Sequence, residues 1–335
     1  MSETVLRIRD LKVEFDVPSG RLPAVNGVSL DLRAGELLAL VGESGSGKSA
    51  LTMGLTGLNR GPRTHISGTA DFRGTDLVAA SLKQLQTIRG ADLAVVFQDA
   101  LAALNPVQRV GKQVAEMIRQ HQKISRAEAL KKAQSLLGDV GIPNPQQSAR
   151  AYPHQLSGGM RQRVMIAIAL ANDPGVLIAD EPTTALDVTI QAQVLALLKR
   201  MQAEHGSAIV LITHDLGVVA EVADRIAVMY AGRIVEVGTR DEVLNSPQHP
   251  YTIGLLNSMP RIDGPRPRRL AAIKGSPLSG VKRPDGCAFA ARCEFVHDAC
   301  AVQPELIRRD AAPDHLDACV LTSTAKQNAL RAGAA

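Results

Sequence analysis

Residues 42–49, Gly-Glu-Ser-Gly-Ser-Gly-Lys-Ser, set glycines, a lysine and a hydroxyl in the order that grips a polyphosphate. Gly42, Gly45 and Gly47 let the backbone curl around Ser44, so that successive N–H groups face one anion. Lys48 supplies a point charge for β- and γ-phosphates, and the Ser49 hydroxyl suits Mg²⁺. A second chemical pair, Asp180 and Glu181, ends the apolar run Val176-Leu-Ile-Ala. Asp180 is suited to hold Mg²⁺, directly or through water, and Glu181 to polarise an attacking water as general base. Two acids at a strand end are common. They acquire meaning from the phosphate loop upstream. His214 follows the apolar run Ala208–Thr213. Alone it reads as a surface group beside Asp215; in this company it reads as a γ-phosphate contact. Gln98, just after Leu93–Phe97, carries no signal of its own. Ser157-Gly158-Gly159 is a second anion-binding helix start, with Ser157 as cap and the glycine amides facing a phosphate.

These groups need elements to hold them. Val5–Arg9 and Val28–Leu32 alternate as half-buried strands do. Leu37–Val41, Leu93–Phe97, Val176–Ala179 and Ala208–Ile212 are short continuous apolar runs, as in strands covered on both faces. A helical pattern over Ala50–Leu58 directly follows the phosphate loop, which places the loop at a helix N-terminus. Strands separated by helices predict an α/β fold with a largely parallel sheet. Residues 99–172 show helical patterns near Val110–Gln120, Arg126–Val140 and Gly159–Asn172 and no convincing strand, so a helical subdomain is expected there. Arg225–Tyr230 and Arg233–Val237 predict a hairpin about Ala231-Gly232. The expected division is a 1–245 core, a 246–284 linker, a 285–322 cysteine-bearing extension and a frayed 323–335 tail.

The 335 residues are 45% hydrophobic and 21% charged, ordinary values for a globular chain. Aromatics are only 2%, too few for a protein that stacks bases along a single strand. The net charge of +5 is concentrated in residues 261–292, where eight basic residues meet two acids. That stretch reads first as a solvated linker, next as a contact for anionic headgroups, and only third as a nucleic-acid site. The first ten residues are charged, and no apolar run of about 18 residues occurs. A soluble, cytosolic chain is expected.

The segment Leu156-Ser-Gly-Gly-Met-Arg-Gln-Arg163 resembles the signature of ABC ATPases, with Met160 where Gln is commoner. The resemblance covers about residues 4–240. It implies a P-loop NTPase core of the ABC ATPase kind, with an N-terminal antiparallel β part and the helical insertion. It also implies ATP and Mg²⁺ as ligands. Ser157, Gly158 and Gly159 would contact the nucleotide held by an opposite subunit. Gln98 would be a Mg²⁺ and water contact that senses a membrane partner. Thr184 to Asp187 would form the D-loop, His214 the switch histidine, and Phe15 the adenine-stacking aromatic or simply core. Four stretches are similar to ATPase subunits of dipeptide and oligopeptide importers: Glu181–Gln193, Ser157–Leu170, His249-Pro-Tyr-Thr through Pro260, and Gly286–Cys293. Together they imply a peptide importer, or a relative carrying nickel or another small solute. They also imply a second, distinct ATPase subunit, two permease subunits, an extracytoplasmic binding protein, and a place on the cytoplasmic face of the inner membrane.

Cys287, Cys293, Cys300 and Cys319 are the chain's only cysteines, separated by 5, 6 and 18 residues. Clustered thiols in a cytosolic chain suggest metal before disulfides. An iron–sulfur cluster, tetrahedral Zn²⁺ and four uncoordinated thiols all remain open on spacing alone. Resemblance to the peptide-importer ATPases, some of which carry a four-iron cluster, points to [4Fe-4S]. His315 reads as structural. Two rivals stand beside the importer reading. One is a soluble ABC protein of DNA repair or translation, which would carry two cassettes or a long insertion. The other is a redox regulator whose working end is the cysteine tail.

Overall fold

The computed structural model describes residues 3–184, 186–258, 273–278, 280–308, 314–322 and 324–326. They fall into two units, one of residues 1–6, 32–37 and 79–212 and one of residues 7–31, 38–78 and 213–335. Basic residues 261, 266, 268 and 269, and nearly all of the expected tail, lie outside the described residues.

The chain opens with β1 (Thr4–Val17), β2 (Gly20–Arg33), β3 (Leu37–Val41), α1 (Lys48–Thr56), β4 (Thr64–Phe72) and β5 (Thr75–Asp76). Four of these form a sheet in the order β2-β1-β4-β5. All five residues of β3 are buried, which matches its unbroken apolar run. Helix α1 stops at Gly57, whose φ of 63° provides the left-handed C-cap that a side chain would resist.

Next come α2 (Leu82–Ile88), β6 (Leu93–Val96), α3 (Ala100–Ala103), α4 (Val110–His121), α5 (Arg126–Asp139) and α6 (Pro145–Ser148). They are followed by α7 (Gly158–Ala169), β7 (Val176–Asp180), α8 (Val188–His205) and β8 (Ala208–Thr213). β6, β7 and β8 pair in parallel, so each connection must cross over. The first crossover carries α3 to α7, the helices expected between two strands. Ser125 starts α5 with a capping box: it accepts from the Glu128 N–H while Glu128 accepts from the Ser125 N–H. α7 ends at Ala169 rather than Asn172. The Asn172 amide instead donates to the Gly90 and Met117 carbonyls at 2.8 and 3.3 Å.

The second unit continues with α9 (Leu216–Val222), β9 (Arg225–Tyr230), β10 (Arg233–Thr239), α10 (Arg240–Asn245) and α11 (Pro250–Asn257). It closes with the short β11 (Ile307–Arg308) and β12 (Leu316–Asp317). β9 runs parallel to β3 and antiparallel to β10. Ala231 and Gly232, at φ 49° and 85°, make the tight turn that joins β9 to β10. β12 pairs with β10, and so attaches the cysteine-bearing extension to the sheet. Beneath that junction, fully buried Glu236 accepts from the Gln248 and His249 backbone N–H groups and meets His315 Nε2 at 2.7 Å. Lys326 is buried against Asp317 at 2.6 Å. A buried charge needs such partners, because desolvation alone would be costly.

Candidate nucleotide site

In the second unit, the phosphate loop leaves the end of β3 and becomes α1 at Lys48. Gly47, the N-cap, has φ 109°, and a Cβ there would stand 2.3 Å from the Ala24 carbonyl oxygen. A Cβ on Gly42 would stand 2.2 Å from the Met229 carbonyl oxygen. These two glycines are therefore demanded by close backbone approach as well as by torsion. Ser44 and Gly45 are exposed at the tip, and Ser49 is half-buried in the first turn. Lys48 Nζ donates to the Gly42 and Glu43 carbonyls at 2.8 and 3.0 Å, which folds the cation back over its own loop. His214 is exposed after β8, and Phe15 is half-buried on β1.

In the first unit, all of β7 is buried down to Asp180, which is 7% exposed. Glu181 turns off the strand at φ 48°, unusual for a residue with a side chain. Its N–H donates to the Ile212 carbonyl at 2.9 Å, so the neighbouring strand holds that turn. Its carboxylate Oε2 accepts from Gln98 Nε2 and from Thr184 Oγ1, both at 2.8 Å. Gln98 and Glu181, 83 positions apart, thus meet directly. Thr184 was legible only as a D-loop position, and its bond to the carboxylate had no sequence signal.

Ser157 caps α7 by accepting from the Met160 N–H at 3.3 Å. Ser157 and Gly158 are exposed at this helix start. Gly159 faces Ile190, where a Cβ would sit 3.0 Å from Cγ2. The Asp187 carboxylate caps α8 by accepting from the Ile190 N–H at 2.9 Å.

The four cysteines line one cavity together with His249, Phe289, Phe295 and Leu321. None is in a disulfide. Burial pushes the Cys287 and Cys319 thiols up, and that of Cys293 up to about 11. Thiols raised in this way stay protonated, so a metal would have to displace the protons. Burial also drives buried His249 down to about 3, with Lys326 adding a repulsive charge. Among the described residues, no three or more His, Cys, Asp or Glu side chains are grouped so as to hold a metal ion.

The fold and the phosphate loop define a class, and the comparisons agree with it. The ABC transporter family model matches residues 25–184, and the model described as "Oligopeptide/dipeptide transporter, C-terminal region" matches residues 235–300. The chain belongs to the ABC transporter family, and it is an ATPase of the cassette type. The dipeptide transport ATP-binding protein DppD of Bacillus subtilis is 47% identical over 334 residues, covering 99% of this chain and 98% of the relative. The oligopeptide transport ATP-binding protein OppD of the same organism is 50% identical, covering 87% and 82% respectively. Among solved structures, the dimeric bacterial ABC transporter cassette MJ0796 superposes with a TM-score of 0.64 at 28% identity, covering 70% of this chain and 98% of that one. A post-hydrolysis state of the same cassette, bound to ADP and Pi, gives 0.64 at 27% identity over the same shares. Among the described residues, no helix is long and apolar enough to cross a membrane.

Proposed function

We propose that the chain hydrolyses ATP to power a membrane importer of di- or oligopeptides, as one half of a nucleotide-sandwiching dimer. The observation that carries this reading is a matched pair of anion sites. The lysine-bearing loop sits at the start of α1, and the serine-capped, exposed start of α7 carries two glycines. On this reading the loop N–H groups and Lys48 bind the phosphates of one ATP, and Phe15 stacks on its adenine. Ser157, Gly158 and Gly159 contact the ATP of a companion cassette, with Asp187 at the junction between the two. Ser49, Asp180 and Gln98 would hold Mg²⁺, which supplies charge neutralisation on the phosphates. Glu181 takes a proton from the attacking water, and His214 touches the γ-phosphate. Gln98 holds the Glu181 carboxylate at one end of that contact, so a movement of Gln98 reaches the base directly. Catalysis here is positioning and charge stabilisation.

The two dipeptide and oligopeptide relatives, matched over most of their length, support the cargo class. The companion is a related but distinct ATPase. Two permease subunits dock near Gln98 and the helices of residues 99–172, on the cytoplasmic face of the membrane, and an extracytoplasmic binding protein delivers the cargo. Residues 1–245 form the ATPase domain, 246–284 a linker and 285–322 the extension. A strain lacking this gene is expected to lose uptake of a labelled dipeptide and to regain it with the wild-type chain. Undiminished dipeptide uptake together with lost nickel uptake would replace the cargo class.

The finer reading of the extension is a [4Fe-4S] cluster held by Cys287, Cys293, Cys300 and Cys319, a reading supported by the family resemblance and by all four thiols lining one cavity. The cluster would supply the covalent cross-link that a small module lacking its own core needs. Protein purified without oxygen is expected to carry about four irons and four sulfides per chain, and Cys319→Ser to lose most of both. One zinc per chain, or no metal at all, would remove the cluster from this account.

A further inference from the structure

Glu43, the one acidic residue of the phosphate loop, touches the C-terminal segments in two ways. Its carboxylate accepts both arms of the Arg292 guanidinium, Nη1 at 2.6 Å and Nη2 at 3.0 Å. Its backbone N–H donates to the Tyr251 hydroxyl at 2.8 Å. The same residue offers its carbonyl to Lys48 Nζ at 3.0 Å. One loop residue therefore joins two distant segments to the cation of the loop. Arg292 is itself held. Its Nε donates to the Lys274 carbonyl at 2.9 Å, and its guanidinium lies 5.8 and 5.9 Å from the Tyr230 and Phe289 ring centres. Its side chain is only 5% exposed. Tyr230, Tyr251 and Phe289 pack on one another with centroids 4.7 to 5.4 Å apart.

A loop built on three glycines has a large conformational entropy to lose before its N–H groups converge on a phosphate. A forked arginine–carboxylate pair fixes both distance and plane, which a lysine cannot do. It also neutralises a carboxylate that would otherwise repel a triphosphate. Arg292 is well mounted for this task. It ends the short turn Ala290–Arg292, where the Ala290 N–H donates to the Cys287 carbonyl and the Cys293 N–H to the Ala290 carbonyl. The cysteine module thereby sets where the guanidinium points.

We propose that Arg292 is a positioning residue for the phosphate loop, so that the cysteine-bearing extension sets the affinity of this cassette for ATP by clamping Glu43. This rests on the reading of residues 42–49 as the nucleotide's phosphate loop. In the full chain with its companion, Arg292→Ala is expected to weaken a non-hydrolysable ATP analogue about tenfold. KM for ATP should rise in step, with kcat within about threefold, because the clamp acts on binding rather than on the attacking water. Amide exchange over residues 42–47, read by mass spectrometry, should quicken. Arg292→Lys should fall between, keeping the charge and losing the fork. Glu43→Ala combined with Arg292→Ala should be no weaker than Arg292→Ala alone. Wild-type affinity and loop exchange in Arg292→Ala would overturn the proposal, as would losses that multiply in the double variant. Should Arg292→Ala fail to fold, Glu43→Ala reads the clamp from the loop side, and unchanged loop exchange there would overturn it equally. Lys48→Ala separates the two levels. Analogue binding that survives its loss sinks the phosphate-loop reading itself, whatever Arg292 does.

Discussion

Replacing Glu181 by Gln is expected to lower ATP turnover by about 10²- to 10⁴-fold, the range that a positioned general base contributes. Nucleotide affinity should change little. Glutamine has nearly the same volume, and its side-chain oxygen still accepts from Gln98 Nε2 and Thr184 Oγ1, which now meet the carboxylate at 2.8 Å. Only the capacity to take a proton from water is lost. The companion and variant should therefore accumulate as a closed, ATP-filled dimer, visible by size-exclusion chromatography with ATP and Mg²⁺. Single-turnover hydrolysis measures the chemical step directly. Turnover within threefold of wild type would move the base elsewhere. Thr184→Ala is a useful companion measurement, since it removes one donor to the same oxygen and leaves the carboxylate in place.

The second large effect belongs to the glycines of the phosphate loop, and it is graded by position. Gly47→Ala should abolish measurable nucleotide binding, a loss of about 100-fold or more. Its Cβ would overlap the Ala24 carbonyl oxygen at 2.3 Å and the Met229 methyl at 2.9 Å, at a φ of 109° that alanine resists. The loop must shift, and its N–H groups turn away from the phosphate. Gly45→Ala meets nothing within 4 Å and carries only the torsional cost of φ 79°. That cost is about 1–2 kcal/mol, or roughly a 5- to 30-fold loss of affinity at most. Titration calorimetry with an ATP analogue distinguishes the two. Equal losses at both positions would show that torsion, and not contact with residues 24 and 229, governs the loop.

Much of this architecture was readable along the chain, for local reasons. The unbroken apolar runs at residues 37–41, 176–179 and 208–212 became strands because a strand covered on both faces shows no polar alternation. Ala231-Gly232 became a tight turn because the chain must reverse there between two apolar runs. Ser157 became a helix cap because its hydroxyl satisfies an N–H that the helix leaves open. The end of α7 was misjudged by three residues, since Asn172 spends its amide on two carbonyls distant in sequence.

Contacts between remote segments were not readable. Nothing in the spacing of Gln98 and Glu181 says that one amide holds the other's carboxylate, nor that Arg292 spans 249 positions to reach Glu43. Residue type and local periodicity dictated which chemical groups this chain owns and which short elements carry them: a phosphate loop, a capped anion-binding helix, two strand-end acids and four thiols. Chain crossing and burial settled which of those groups meet: the base with its glutamine and threonine, the loop carboxylate with its arginine, four thiols around one cavity. The division follows from range. Torsional preference and capping act within a turn or two of the backbone. A forked ion pair or a shared cavity exists only after the entropy of closing a long loop has been overcome by the packing of everything between.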